Sequence, residues 1–323
     1  MKLWGIRLLI FGVLILGTEG VGRILYKTKE EPCENCHPRV RHESLKNWHP
    51  TNKSFQASKQ CPTESCFSGV EYQFDDVGRR TTSNFINNGK RPIALLGDSF
   101  IFGYGLKDED TPAGLLQEKY DGPVYNYGFN GAGTSFLYNL MRKRFLVETL
   151  PEETDMVIFL NEVMLFRDLP STSTSFNPWI PYCRREEEKL QCGDYKDFFP
   201  YEIQFIEAYE WLRHHSDFLK YLDPYFSLHS KRENALAALE NLREFKKLYE
   251  AYFKGKLTIL IHPHKPLRPV YKEVFDKSDL NIQYLPEMDY DDPRNNLCSC
   301  DFHPSPYSNK IMMDNFWAFY QRQ

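Results

Sequence analysis

Ser99 stands in the tetrapeptide Gly97-Asp98-Ser99-Phe100, with Gly103 and Gly105 close behind. A serine on a tight strand-to-helix turn presents its hydroxyl to a cleft and its own backbone N–H to a developing oxyanion. Glycines around it let the backbone come close. Two hundred residues later, Cys300-Asp301-Phe302-His303-Pro304-Ser305 places an imidazole two residues after a carboxylate, a general-base arrangement. Two further segments offer hydrogen-bond donors. In Asn126-Tyr127-Gly128-Phe129-Asn130-Gly131-Ala132-Gly133-Thr134 a glycine N–H can point into the same cleft. This segment has no lysine, so it is not a P-loop. In Asn161-Glu162 the carboxamide can donate to a negative oxygen. Each piece also has an ordinary reading: a Gly-Asp-Ser turn, a flexible loop, an N-cap asparagine, and a turn histidine beside a capping serine. No His pair at i, i+4 with a carboxylate points to a metalloprotease.

These segments need a frame that brings them together. Pro92–Leu96, Val124–Tyr127, Met156–Leu160, Leu257–Ile261 and the weaker Ile282–Leu285 are short, continuous apolar runs. They read as buried strands, with helical stretches between them. Thr111-Pro112 opens one helix through Tyr120, a second runs from Thr134 to Val147, and Ser305-Pro306 opens the last. Ser230-x-x-Glu233 is a capping box for a helix ending near Gly255. Alternating strands and helices of this kind predict an α/β fold with a parallel sheet covered on both faces. Ligands then bind beyond the carboxyl ends of the strands, where all four segments fall. Residues 162–229 break the alternation and read as an insertion, part of a lid or substrate wall.

The chain has 323 residues, enough for one large or two modest domains. With 41% hydrophobic and 26% charged residues and a net charge of −4, it is neither disordered nor a multi-spanning membrane protein. Nothing in the charge balance draws it onto nucleic acid, so no nucleic-acid partner is expected. Residues 1–27 hold an apolar run after Lys2 and read as a membrane anchor or signal peptide that exports the rest. Arg23, Lys27 and Lys29 argue weakly against that orientation. Residues 28–90 are polar and read as a cysteine-containing stalk packing on the main domain, which occupies 91–323.

The eight cysteines fall in four doublets, Cys33/Cys36, Cys61/Cys66, Cys183/Cys192 and Cys298/Cys300. In an exported chain these predict disulfides. Local pairing is the simplest arrangement for Cys61–Cys66 and Cys183–Cys192. Cys298 and Cys300 are too close in sequence to pair comfortably, which leaves cross-pairing open. Cys33-Glu34-Asn35-Cys36-His37 matches the C-x-x-C-H attachment pattern of c-type haem. Its polar surroundings have no helical pattern that would wrap a haem, so a disulfide-rich linker is the preferred reading and no cofactor or metal is expected.

The set GDSFIFGYG, NYGFNGAGT, FLNEV and DFHPS, in this order at strand ends, resembles the SGNH (GDSL-type) hydrolase family in its bacterial, membrane-anchored extracytoplasmic form. Phe74-Asp75-Asp76-Val77-Gly78-Arg79 looks like the lead-in common in such proteins. The resemblance covers about residues 72–323 without the insertion. It implies a flavodoxin-like three-layer sandwich around a parallel sheet of about five strands. By position it implies Ser99 as nucleophile and His303 as base. The Ser99 N–H, the Gly131 N–H and the Asn161 side chain would form the oxyanion hole. The family usually places the acid three residues before the histidine. Here that residue is Cys300, and Asp301 sits two before, a spacing used by related acyltransferases. The third segment has Asn161-Glu162 where Asn-Asp is usual. The implied activity is that of an exported serine esterase or O-acyltransferase, hydrolysis favoured. It would act on a small-molecule or glycan ester such as an O-acetyl group of an envelope carbohydrate, or on a lipid ester. The alternative is a catalytically degenerate binding module at the cell envelope.

Overall fold

The computed structural model of the protein describes residues 48–61, 64–170, 182–186, 189–216, 218–219, 228–264, 267–289 and 291–322, with residues 17, 21 and 33–34 beside them. Nearly all of the expected anchor, and Cys36 and His37 of the C-x-x-C-H string, lie outside the described residues. No helix among the described residues is long and apolar enough to cross a membrane.

Three strands come first: β1 (Cys33–Glu34), β2 (Ser54–Gln60) and β3 (Ser65–Gln73), joined in an antiparallel sheet of their own. The main sheet starts with β4 (Ile93–Gly97), β5 (Val124–Gly128) and β6 (Asp155–Leu160). A hairpin of β7 (Tyr182–Glu186) and β8 (Lys189–Gly193) follows, and the main sheet resumes with β9 (Leu257–Ile261) and β10 (Ile282–Tyr284). The last pair is β11 (Asn296–Cys298) and β12 (Asp301–Pro304). The main sheet has the order β10-β9-β6-β4-β5, with every pairing parallel. All five strands expected from the apolar runs are present, within a residue at each end. β4 and β6 are buried along their whole length, which is why they read as unbroken apolar runs.

From β4 the chain steps to β5 on one side, then returns past β4 to β6, β9 and β10 on the other. This is the flavodoxin-like order, and the reversal opens a crevice at the carboxyl ends of β4 and β6. Alternate strand residues face opposite ways. Ala94, Leu96, Met156, Ile158, Ile259 and Ile261 pack beneath helices α3 (Thr134–Arg142), α8 (Lys231–Tyr252) and α9 (Pro269–Asp276). Ile93, Leu95, Val157, Phe159 and Leu260 pack on the other face beneath α2 (Pro112–Gln117) and α10 (Pro306–Tyr320). The result is the three-layer α/β sandwich.

The remaining helices are short or peripheral. They are α1 (Ser99–Phe102), α4 (Phe145–Thr149), α5 (Glu162–Phe166), α6 (Tyr195–Phe198) and α7 (Pro200–His215). The helix expected over 134–147 is in fact two, α3 and α4. Arg144 takes the left-handed conformation at φ 62, which ends one and turns Phe145 and Leu146 into the core. The helix expected through Tyr120 stops at Gln117. The Ser230 capping box is present in both directions, Glu233 N to Ser230 Oγ at 3.2 Å and Ser230 N to Glu233 Oε2 at 2.7 Å. In the segment read as an insertion, α5 places Met164 and Leu165 in the main core. Beyond it, Leu169, Tyr182, Tyr195, Phe199, Ile203 and Ile206 form a small cluster of their own.

The polar stretch before the sheet contributes core as well. Trp48 is fully buried and stacks on Phe129 at 5.6 Å. The β2–β3 hairpin packs Ala57, Phe67, Val70, Tyr72 and Phe74 against Phe102 and Tyr104, next to the Ser99 turn.

Candidate active site

Ser99 begins α1 immediately after β4. Asp98 caps that turn, its Oδ1 accepting the Phe100 N–H at 3.0 Å. The turn is pressed hard onto the sheet. A Cβ on Gly128, at the end of β5, would lie 2.0 Å from the Phe102 nitrogen, so no larger residue fits there. Gly103 closes α1 in the left-handed conformation at φ 79. Arg80, wholly buried, gathers the carbonyls at this end: it donates to Phe102 O at 3.0 Å, to Gly103 O at 2.5 Å and to Leu106 O. Its guanidinium lies over the Tyr72 ring at 4.5 Å and pairs with Asp108 at 2.8 Å.

The other half of the site arrives on β12. His303 Nε2 is 2.9 Å from Ser99 Oγ, and His303 Nδ1 is 2.5 Å from Asp301 Oδ1. The same carboxylate oxygen accepts the His303 backbone N–H at 2.9 Å. Asp301 Oδ2 accepts from Lys59 Nζ, on β2, at 3.0 Å. Burial pushes the Asp301 carboxyl up, but the hydrogen bond and charge of His303, with the Lys59 ammonium, outweigh it and hold the group well below the usual carboxylate range. An ionised Asp301 only accepts, so Nδ1 carries the ring proton and Nε2 turns its lone pair to the Ser99 hydroxyl.

Aromatic and histidine side chains fix the ring and its loop. Tyr104 stacks on His303 at 4.2 Å, and Phe100 meets it edge-on at 5.4 Å. His264, fully buried after β9, reaches the Phe302 carbonyl with Nε2 at 2.9 Å and Ser308 Oγ with Nδ1 at 3.2 Å. Phe302 lies between Asp301 and His303, so this bond pins the loop from behind. A carbonyl only accepts, so His264 donates to it from Nε2. Burial, with His264 nearby, pushes His262 well below its ordinary range, so it is neutral.

Cys300, at the position where the acid usually stands, is bonded to Cys61, and Cys66 is bonded to Cys298. The local Cys61–Cys66 pairing is therefore corrected. The turn between β2 and β3 lies against the turn between β11 and β12, and the sulfurs bridge across. Glu64 adds a second tie, accepting the Ser299 N–H at 2.8 Å. Cys192 stands opposite Cys183 in the β7–β8 ladder and is disulfide-bonded.

Asn161 and the loop that holds Gly131 are both linked to Asp98, the residue before Ser99. Asn161 Nδ2 donates to Asp98 Oδ1 at 2.9 Å, while its Oδ1 accepts the Met164 N–H at 3.0 Å. It is thus the N-cap of α5, the ordinary reading of this residue, and its amide N–H is directed at Asp98. Arg167 Nη1 bridges Asp98 Oδ2 and the Ala132 carbonyl, each at 2.9 Å. Gly131 precedes Ala132 and has φ 86, in the left-handed region. Arg167 therefore ties the turn holding Ser99 to the loop holding Gly131. Glu162, in place of the usual aspartate, is buried and accepts the Arg268 N–H at 3.0 Å, tying α5 to the start of α9.

Residues that the sequence reading passed over are Arg80, Lys59, Arg167 and His264. Arg80 directly follows the lead-in segment Phe74-Asp75-Asp76-Val77-Gly78-Arg79. Lys59 lay in a stretch read as stalk.

No protein-family model and no curated protein matches the chain. Several solved structures do. A lipolytic protein of the G-D-S-L family from Desulfitobacterium hafniense is 14% identical over 70% of this chain and 98% of its own, with a TM-score of 0.38. An acetyl xylan esterase from the rumen bacterium Butyrivibrio proteoclasticus is 10% identical over 80% of this chain and 73% of its own, with a TM-score of 0.40. A family two carbohydrate esterase from Clostridium thermocellum, in complex with cellohexaose, is 12% identical with the same coverages and TM-score. At these identities and TM-scores the likeness adds no argument to the geometry, which stands on this chain's own residues.

Proposed function

We propose that this chain is a serine ester hydrolase working through Ser99 and His303. One observation carries the reading: the unbroken run Ser99 Oγ, His303, Asp301, with links of 2.9 and 2.5 Å, lies beyond the carboxyl ends of β4 and β6. Ser99 Oγ attacks the ester carbonyl while His303 Nε2 takes its proton, and Asp301 steadies the imidazolium through Nδ1–H. The carbonyl oxygen, now negative, is met by the N–H of Ser99, the N–H of Gly131 and the Asn161 carboxamide. Loss of one such donor costs about 3–4 kcal/mol at the transition state. His303 returns its proton to the leaving alcohol. Water, deprotonated by His303, then attacks the acyl-Ser99 ester and releases the carboxylic acid. No metal or cofactor enters these steps.

Disulfides across the site fit work outside the cytoplasm, with residues 1–27 as a membrane tether. An O-acetyl group on an envelope carbohydrate, or a lipid ester, is the substrate this location favours. The degenerate-module alternative rested on an acid replaced by Cys300, and the Asp301–His303 contact of 2.5 Å supports Asp301 as the acid instead. Hydrolysis of p-nitrophenyl acetate and labelling by a fluorophosphonate test the reading in wild type and Ser99→Ala. Both should vanish in the variant. Labelling that persists there removes Ser99 as nucleophile.

A further inference from the structure

We propose that Lys59, from the hairpin outside the main sheet, is a positioning residue of the catalytic centre: it fixes the far oxygen of Asp301 and sets how strongly that carboxylate supports His303. The inference rests on the esterase reading above and deepens it.

The geometry divides Asp301 between two cations. Oδ2 faces Lys59 Nζ at 3.0 Å and Oδ1 faces His303 at 2.5 Å. Lys59 is 13% exposed and Asp301 4%, so solvent screens the pair little. Lys59 is not free to wander. Two residues on, Cys61 is bonded to Cys300, the neighbour of Asp301. Lys59 is also paired in the β2–β3 ladder, opposite Phe67. The covalent bridge and the ion pair thus lie side by side and hold one hairpin against the other.

Among the described residues, the remaining charged or titratable groups around Asp301 are few and distinct. From β3, the Tyr72 hydroxyl accepts the Gly105 N–H at 2.8 Å, and Tyr72 lies under Arg80, which pairs with Asp108. Burial raises Tyr72 above its ordinary value, so it is neutral. At the turn, Glu64 is engaged with Ser299. Behind the loop, His264 holds the Phe302 carbonyl. Among the described residues, Lys59 is therefore the cation in direct contact with the acid on the side away from His303. Its charge weakens the pull of Asp301 on a protonated imidazole, while its hydrogen bond keeps Oδ1 aimed at Nδ1.

Replacing Lys59 removes both effects, and they read out separately. In Lys59→Met, kcat toward p-nitrophenyl acetate should fall about tenfold with KM unchanged, because the acid is no longer aimed. The acid limb of the pH profile of kcat/KM should move to higher pH by about one unit, because Asp301 then favours the protonated ring more. Lys59→Arg keeps the charge and should leave the limb in place. A merely structural lysine would change stability and leave the limb where it was. Lys59→Gln keeps a donor for Oδ2 without the charge, and is the variant read if Lys59→Met does not fold.

A second measurement needs no substrate. The carbon-13 titration of the Asp301 carboxyl, in the full chain, should move to higher pH in Lys59→Met or Lys59→Gln. If it moves while wild type hydrolyses no ester and takes no fluorophosphonate, Lys59 still governs Asp301 and the esterase reading fails. If neither the titration nor the pH limb moves, the role assigned to Lys59 is overturned, whatever the enzyme hydrolyses.

Discussion

Asp301→Asn tests the acid that stands at an unusual spacing from its histidine. The variant keeps the size of the side chain and removes its charge. Its amide must choose an orientation, and the charged Lys59 ammonium at 3.0 Å outcompetes the neutral His303 backbone N–H at 2.9 Å for the carbonyl oxygen. The NH2 then faces His303 Nδ1. To accept from it, the ring must move its proton to Nε2, which points at Ser99 Oγ from 2.9 Å. A ring in that state cannot take the serine proton. The same substitution in a Ser-His-Asp triad lowers kcat about 10⁴-fold, which is about 5 kcal/mol of transition-state stabilisation. Asp301→Asn should therefore lower kcat/KM for p-nitrophenyl acetate by about 10³–10⁴ at neutral pH, with the cooperative melt retained. A folded variant that keeps more than about a tenth of wild-type activity would refute the assignment of Asp301 and the tautomer argument together.

Other perturbations probe the frame around the site. Burial holds Asp168, which follows α5 and packs against the start of α3, up at about 6 against its ordinary 3.8, despite hydrogen bonds from Thr134 Oγ1 and the Ser135 N–H. The folded protein thus binds this proton more tightly than the unfolded chain. Stability should rise as pH falls from about 6 toward 4, by about 3 kcal/mol from this group, and urea titrations of Asp168→Asn should lack that part of the rise. Arg167→Met strands the buried Asp98 carboxylate and should cost about 3–5 kcal/mol in urea unfolding. A Gly128→Ala chain should fail to give soluble folded protein on expression, since its Cβ meets the Phe102 nitrogen at 2.0 Å. Peptide mapping without reductant should recover Cys61 with Cys300 and Cys66 with Cys298. A Cys61–Cys66 peptide would contradict the bridging of the two hairpins.

The sheet could be read from sequence because parallel strands buried on both faces are continuous apolar runs, and β4, β6 and β9 are such runs. Ser99 and His303 were legible for a related reason: each directly follows or precedes a strong element boundary, a glycine-rich turn in one case and a Ser-Pro helix start in the other. The break at Arg144 was not, because a non-glycine residue in the left-handed region leaves no compositional mark. Local sequence could not announce the partners of Cys61 or Lys59 either. Lys59 meets Asp301 across 242 residues, and nothing near either residue encodes the other. Asn161 was read as a helix cap or an oxyanion donor; its oxygen caps α5, and its bond to Asp98 spans 63 residues, which no local pattern announces.

The crossed sulfur bridges, spanning 239 and 232 residues, have a topological outcome. The backbone from position 61 to position 300 is a closed covalent ring, and the whole parallel sheet lies within it. In chain-entropy terms a ring this size disfavours the denatured state by about 5 kcal/mol. A protease that nicks an outlying loop inside the ring opens it without producing two molecules. The fragment bearing the serine and the fragment bearing the imidazole remain tied to one another, and the cleft has the means to close again.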